Sequence, residues 1–405
     1  MRDNPTPPAA ALQGGSDPHG MPDLRGVTVL QVIPTLETGG AERTTLEVGR
    51  ALITAGARSL VVSEGGPLVE SLVAEGTEHV SLPVASKNPL LLASNGTALR
   101  RLIAAEGVDL IHARSRAPAW SALMAARGAK IPFVTTYHGI YSGRTAPKRL
   151  YNSVMARGDA VIANSAYTAA AVARLYGAKP WFPPAARFVT IPRGADLSLF
   201  DPDQVTAAQR AAALAAFGGE GAFRVLMPGR LTSWKGQEDV VEAVAQLRPD
   251  GEPPLRVVLI GSAQGRDAYE DSLERRISDL GISDIVHIHG HWDDMPAAYD
   301  WADVTLSASR RPEAFGRVAV EAQAMGCPVI ATAHGGSLET VDPAHGGTLV
   351  PPSAPDALSA ALAQMLQRPP ADREAMGAVA RRRILREFSI EAMTSATLSV
   401  YRAVL

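Results

Sequence analysis

Short apolar runs alternate with longer stretches of helical period along most of the chain. From Val27 the runs are 27–33 (VTVLQVI), 58–62, 79–84, 109–112, 132–137, 159–163 and 188–192, with amphipathic segments such as 41–55 and 165–175 between them. Val- and Ile-rich runs spaced by helical segments mark β-α-β units around a parallel sheet, whose strands are buried on both faces. The pattern then restarts. Runs recur at 223–228 (FRVLMP), 256–260, 285–288, 303–306, 328–331 and 347–350, with helical segments near 236–247, 266–280, 316–326 and 354–367. A final helical segment, 389–404, has no strand after it. The pattern predicts an α/β protein with two doubly wound, Rossmann-like domains. Its expected parts are a disordered tail over 1–22, a first domain over 23–196 and a linker over 197–222, then a second domain over 223–385 and a C-terminal helix over 386–405. Ligands of such sheets bind beyond the carboxyl ends of the strands, and a cleft between two such domains favours a site.

Composition removes several classes. With 405 residues, 46% hydrophobic and 20% charged, the chain is of ordinary globular type. Its one Cys excludes a disulfide framework and a Cys-based zinc site. Cys327, just before an apolar run, reads as a small core residue. No apolar run is long enough to span a bilayer, and the first 22 residues lack the apolar stretch of a secretory signal, so a cytoplasmic protein is expected. A formal charge of −2 argues against a nucleic-acid binder.

That balance conceals an asymmetry. Between Arg100 and Arg193 stand 14 basic residues and three acidic ones, a net of +11 against −13 for the rest. Tyr137, Tyr141, Tyr151, Trp181 and Phe182 are interleaved with them. Such a segment suits an anionic ligand or an anionic lipid surface, or is simply a solvated Arg-rich face.

Four strand-to-helix loops have the chemistry to hold a phosphorylated ligand. The first carries Gly39 and Gly40, whose backbone can approach a ligand at a helix N-terminus or make a plain tight turn. The second reads Gly229-Arg230-Leu231-Thr232-Ser233-Trp234-Lys235-Gly236. Arg230 offers a fork and Lys235 a point charge to phosphate oxygens, without the ending of a Walker A loop. The third runs from Ser309 through Glu313, Phe315, Gly316 and Arg317 to Glu321. If Gly316 opens a helix, Glu321 lies about 7.5 Å along its axis, and the helix-opening N–H groups face a diphosphate with a carboxylate to either side. That order matches a sugar nucleotide: sugar, diphosphate, ribose. The fourth carries Gly335 and Gly336.

These loops, in this order, resemble the retaining glycosyltransferases of family 4, which have the GT-B fold. The resemblance rests on EAFGRVAVEAQAMGCPVIAT with Glu313 and Glu321, on GRLTSWKG, and on GGSLETV followed by GGTLVPPSAPDAL. It implies that Arg230 and Lys235 hold the donor diphosphate, Glu313 faces the donor sugar and Glu321 binds the ribose hydroxyls. Backbone near Phe315, Gly316 and Arg317 completes the pocket. The Gly39–Gly40 loop closes over the donor, His138 lies near the transferred sugar, and the loop of His291 and Trp292 meets the base. The last helix crosses back onto the first domain. The HARSRAPAW segment, 112–120, resembles lipopolysaccharide and capsule glycosyltransferases. Departures are Arg193, where the family often has Asn, and the added charges Arg310 and Arg311.

The resemblance implies a UDP- or GDP-sugar donor, no cofactor, and front-face attack by an acceptor hydroxyl, since no protein nucleophile is evident. Asp201-Pro202-Asp203 falls in the expected linker, so no obligatory metal is expected. The expected acceptor is an anionic glycolipid or saccharide of the cell envelope, met at the cytoplasmic membrane face through Arg114, Arg116, Arg144, Lys148 and Arg149. The alternatives are a soluble sugar-phosphate acceptor, or a non-catalytic nucleotide-sugar binder serving as an assembly partner.

Overall fold

The structure, a computed structural model, describes residues 20–37, 39–141, 145–247, 254–262 and 267–405. The tail expected over 1–22 therefore lies, up to residue 19, outside the described residues. The chain forms two compact units.

Among the described residues, the first unit spans 20–164, 168–191 and 391–405. Its seven strands are β1 (Thr28–Val32), β2 (Arg58–Ser63), β3 (Glu78–Ser81), β4 (Leu110–Ala113), β5 (Phe133–Tyr137), β6 (Ala160–Ala163) and β7 (Phe188–Thr190). They form one parallel sheet in the order β3-β2-β1-β4-β5-β6-β7. Every residue of β1 is buried, because helices cover both faces. Leu30 and Val32 face one apolar cluster with Leu60, Val62 and Ile111, while Val29 faces the other with Leu110, Val134 and Ile162. The Ile390–Val404 helix supplies Met393, Leu398, Val400 and Tyr401 to that second cluster. The strandless last helix thus packs on the first unit's sheet, as the resemblance implied.

The second unit comprises residues 165–167 and 192–390. Its six strands are β8 (Phe223–Pro228), β9 (Leu255–Ile260), β10 (Val286–Gly290), β11 (Val304–Ser307), β12 (Val329–Thr332) and β13 (Thr348–Val350). They run parallel in the order β10-β9-β8-β11-β12-β13. In both sheets the order reverses beside the first strand, between β1 and β4 and between β8 and β11. Loops beyond the carboxyl ends there are where such sheets bind ligands.

Two parts of the expected organisation change. Residues 197–222 are not a linker. Thr206 caps the Ala207–Phe217 helix through a reciprocal pair with Gln209, and Phe200, Val205, Ala213 and Phe217 are buried in the second unit's core. A further helix, Pro370–Glu387, precedes the last one, and the second unit runs to Ile390 rather than 385.

Candidate active site

The site is clearest in the second unit, where three loops at the carboxyl ends of β8, β11 and β12 are tied together. Gly236 closes the first loop at φ +84°, and a Cβ there would lie 2.0 Å from Ala308 O, so only glycine lets these two backbones touch. The Arg310 N–H donates to Trp234 O at 2.8 Å across the same seam. From the β12 side, the Gly336 N–H donates to Glu313 O at 2.8 Å. A Cβ on Gly335 would sit 2.5 Å from that same oxygen.

This packing delivers Lys235 and Glu313 to one point. Lys235 Nζ lies 2.7 Å from Glu313 Oε1 and 4.7 Å from the centre of the Trp234 ring, and the Ser309 hydroxyl also donates to that carboxylate. Arg230 is exposed, with its carbonyl held by Gln237 Nε2 at 2.9 Å. Gly316 adopts φ +89° and opens the Arg317–Ala324 helix behind buried Phe315. One and a half turns in, buried Glu321 accepts from the Tyr299 hydroxyl at 3.0 Å and from Arg317 at 3.1 and 2.7 Å. The order expected from sequence is therefore present: one carboxylate with a cation before the helix end, a second inside it.

The other expected donor groups stand on other loops. His291 is exposed and pairs with Asp293 at 2.9 Å. Trp292 packs on Phe217, ring centres 4.8 Å apart, and donates to Asp294 O at 2.7 Å, so its ring belongs to an aromatic cluster of the core. In the first unit, Gly40 opens the Gly40–Thr54 helix with Gly39 at its cap, and the Glu42 side chain folds back over Gly39. His138 follows β5, and its carbonyl accepts from Asn164 Nδ2 at 3.1 Å.

The basic segment is partly internal. Arg114, expected to face an acceptor or membrane, is buried. Its guanidinium donates to Gln31 Oε1 at 2.9 Å and Thr44 O at 2.8 Å, and burial pushes its pKa down. Gln31, buried on β1 across the sheet, recruits it. Arg116 lies over the Tyr141 ring at 4.0 Å and donates to Asn152, and Arg157 lies over Trp181 at 4.1 Å. Arg127 pairs with Asp159. Lys148 and Arg149 are exposed, while Arg144 lies outside the described residues. The 112–120 segment, read as a lipopolysaccharide-type feature, is largely interior framework, with His112, Ala113, Ala117 and Ala119 buried.

Arg310, an added charge relative to the family, is internal as well. Its fork is engaged by Asp239 at 2.9 and 2.6 Å and by Glu238 at 2.6 Å, so its charge is spent inside the protein. Asp201 pairs with Arg381 at 2.9 Å and caps a short turn. Among the described residues no group of three or more His, Cys, Asp or Glu side chains is placed to hold a metal ion. No helix among them is long and apolar enough to cross a membrane.

Comparison with known proteins agrees with the fold. A model of Glycosyltransferase Family 4 matches residues 38–199, and one of Glycosyl transferases group 1 matches 217–383. A glycosyltransferase from Rickettsia africae is 31% identical with a TM-score of 0.82, over 93% of this chain and 98% of its own. The chain belongs to glycosyltransferase family 4. The family's GT-B architecture accounts for the two parallel sheets. Anabaena HepE, crystallised with UDP and glucose, shares the fold at a TM-score of 0.74 and 22% identity, over 93% of this chain and 100% of its own. A D-inositol 3-phosphate glycosyltransferase of Kineococcus radiotolerans is 37% identical over 264 residues, 62% of this chain and 58% of the relative. The chain thus spans under two thirds of that relative's length. Within this family 4 chain, sequence reasoning missed Tyr299 and read Arg310 only as an added charge, without its partners. Neither contact has a local signal, since their partners lie 22 and 71 or more positions away.

Proposed function

We propose that this enzyme transfers a glycosyl group from a nucleoside diphosphate sugar to a hydroxyl of a soluble phosphorylated polyol, with retention at the anomeric carbon and without an obligatory metal. The observation that carries the reading is the arrangement of Lys235 and Glu313 just before the Gly316 helix end, with Glu321 inside that helix. Expelling a nucleoside diphosphate builds negative charge on the leaving oxygen, and fixed donors aimed there lower the barrier. Arg230, Lys235 and the helix-opening N–H groups supply those donors. Glu313 accepts from donor-sugar hydroxyls and Glu321 from the ribose hydroxyls. In the front-face step the bond from C1 to the diphosphate oxygen breaks as C1 bonds to the acceptor oxygen. The acceptor proton passes to the departing diphosphate, so no protein nucleophile is required.

The soluble acceptor is favoured by the inositol phosphate named for the Kineococcus relative. The envelope glycolipid reading leaned on the 112–120 segment, and that segment is mostly buried. Among the described residues of the expected acceptor set, Lys148 and Arg149 are exposed, and this reading assigns them to an acceptor phosphate.

A thermal-shift panel of UDP-, GDP- and ADP-sugars identifies the donor, since a ligand of the native state raises the melting temperature. With that donor, inositol phosphates are compared with lipid-linked saccharides for nucleoside diphosphate release. The anomeric coupling of the product by NMR tests retention, and turnover in excess EDTA tests metal independence. Release with lipid-linked saccharides alone overturns the acceptor reading.

A further inference from the structure

Glu321 is held from two sides before any ligand is considered. Tyr299, on the Met295–Trp301 helix, donates its hydroxyl to Oε2 at 3.0 Å. Arg317, one turn earlier on Glu321's own helix, donates twice to Oε1 at 3.1 and 2.7 Å. The two supports differ in rigidity. The Arg317 side chain is 59% exposed, whereas Tyr299 is 1% exposed, within a core cluster that includes Phe200 at 6.0 Å between ring centres. Burial, then the neighbouring Glu321 charge, holds the phenol well above its ordinary pKa, so it stays a donor.

A carboxylate oxygen offers two lone-pair directions. With the phenol on one direction of Oε2, the other is fixed in space. An incoming hydroxyl then meets an acceptor that loses no side-chain freedom on binding. Without the phenol, the partner left to the carboxylate among the described residues is the exposed arm of Arg317.

We infer that Tyr299 is a positioning residue that sets the ribose selectivity of the donor site, by fixing the Glu321 carboxylate to accept from the nucleoside's vicinal hydroxyls. The inference rests on the reading of Glu321 as the ribose-binding group.

The test is calorimetric titration of UDP, GDP and ADP, each against its 2′-deoxy counterpart, into the wild type, Tyr299→Phe, Arg317→Ala and Glu321→Ala. The wild type is expected to favour one ribonucleoside diphosphate over its deoxy form by about tenfold or more, the worth of a hydrogen bond to a charged group. Tyr299→Phe keeps the ring, and is expected to cut that preference at least threefold through weaker ribo binding alone. A purely structural role would lower the melting temperature and weaken both ligands alike. Arg317→Ala leaves the phenol in place and is expected to retain most of the preference; its complete loss there assigns the role to Arg317 and overturns the inference. A preference unchanged in Tyr299→Phe but abolished in Glu321→Ala overturns the role of Tyr299 and leaves the ribose reading standing. A preference unchanged in Glu321→Ala, or no preference or binding in the wild type, removes the ribose reading and the inference with it.

Discussion

Lys235 Nζ lies 2.7 Å from Glu313 Oε1, joining loops 78 positions apart. Both side chains are less than one-fifth exposed. Under the proposed function the ion pair sets a competition, because the donor diphosphate would take the ammonium that Glu313 neutralises. Glu313→Gln removes the competing charge while keeping the shape. It is expected to tighten nucleoside diphosphate binding by a few-fold and to lower kcat by about a hundredfold or more, the scale of losing a group that acts in the transition state. Lys235→Ala is expected to weaken diphosphate binding about tenfold, the worth of a charge-assisted hydrogen bond. Titration with the diphosphate and steady-state kinetics check both. Unchanged turnover in Glu313→Gln would remove Glu313 from the chemistry.

Arg310 determines how those two loops meet. Its fork engages Asp239 and Glu238 while its N–H bonds Trp234 O. The Asp239 side chain is 8% exposed, so losing the guanidinium strands a carboxylate in poor solvent. Arg310→Ala is expected to cost about 1–3 kcal/mol of stability, a partly exposed version of breaking a buried pair, and to lower kcat. Adding Asp239→Asn should recover part of the stability, since the stranded charge goes too. Chemical denaturation of the single and double variants measures this coupling. Additive losses would mean that the two residues do not act as a pair.

Legibility tracked how local the signal was. The strands were readable because a parallel sheet buried on both faces writes uninterrupted apolar runs, as in TVLQV of β1. The Pro370–Glu387 helix escaped notice because its arginines blur the apolar stripe. Gly316 and Glu321 were readable together because a helix fixes their spacing, and Glu313 because the family motif places it in the loop before that helix. Arg114 was misread because its charge is visible in the sequence and its partner is not: Gln31 lies on a neighbouring strand, 83 positions away. Tyr299 was invisible for the same reason, reaching Glu321 from another helix.

The first unit carries a buried histidine with a pH signature. His112 on β4 bonds the Tyr401 hydroxyl through Nδ1 at 2.6 Å and Thr136 Oγ1 through Nε2 at 2.8 Å. Burial, then the Arg114 charge, then His138, hold its pKa well below 6.5. In the unfolded chain it titrates near 6.5, so below that pH the unfolded state binds the extra proton. The stability His112 contributes is therefore full above about pH 6.5 and is lost as pH falls from there toward its folded pKa. His112→Gln is expected to lower the melting temperature at pH 7.5 and to flatten its decline between pH 6.5 and 5 relative to the wild type. Parallel declines would show that His112 is not the titrating group.

The exposed pair Lys148 and Arg149 separates the two acceptor classes. They lie on the Ala146–Asn152 helix, whose end is held by the Tyr176 hydroxyl donating to Arg149 O at 3.0 Å. Among the described residues of the expected acceptor set, Arg114 is buried and Arg116 lies over Tyr141, whereas these two are exposed, and the proposed function gives them the acceptor phosphate. Replacing both with alanine is expected to raise KM for a phosphorylated soluble acceptor about tenfold, leaving donor KM and melting temperature unchanged. Added salt should raise the wild-type KM and affect the double variant less, because screening acts on charges already removed. An envelope acceptor predicts instead that the wild type binds anionic vesicles at low salt and releases them as salt rises. Salt-sensitive vesicle binding, together with an unchanged soluble-acceptor KM in the double variant, would assign the two residues to a lipid surface.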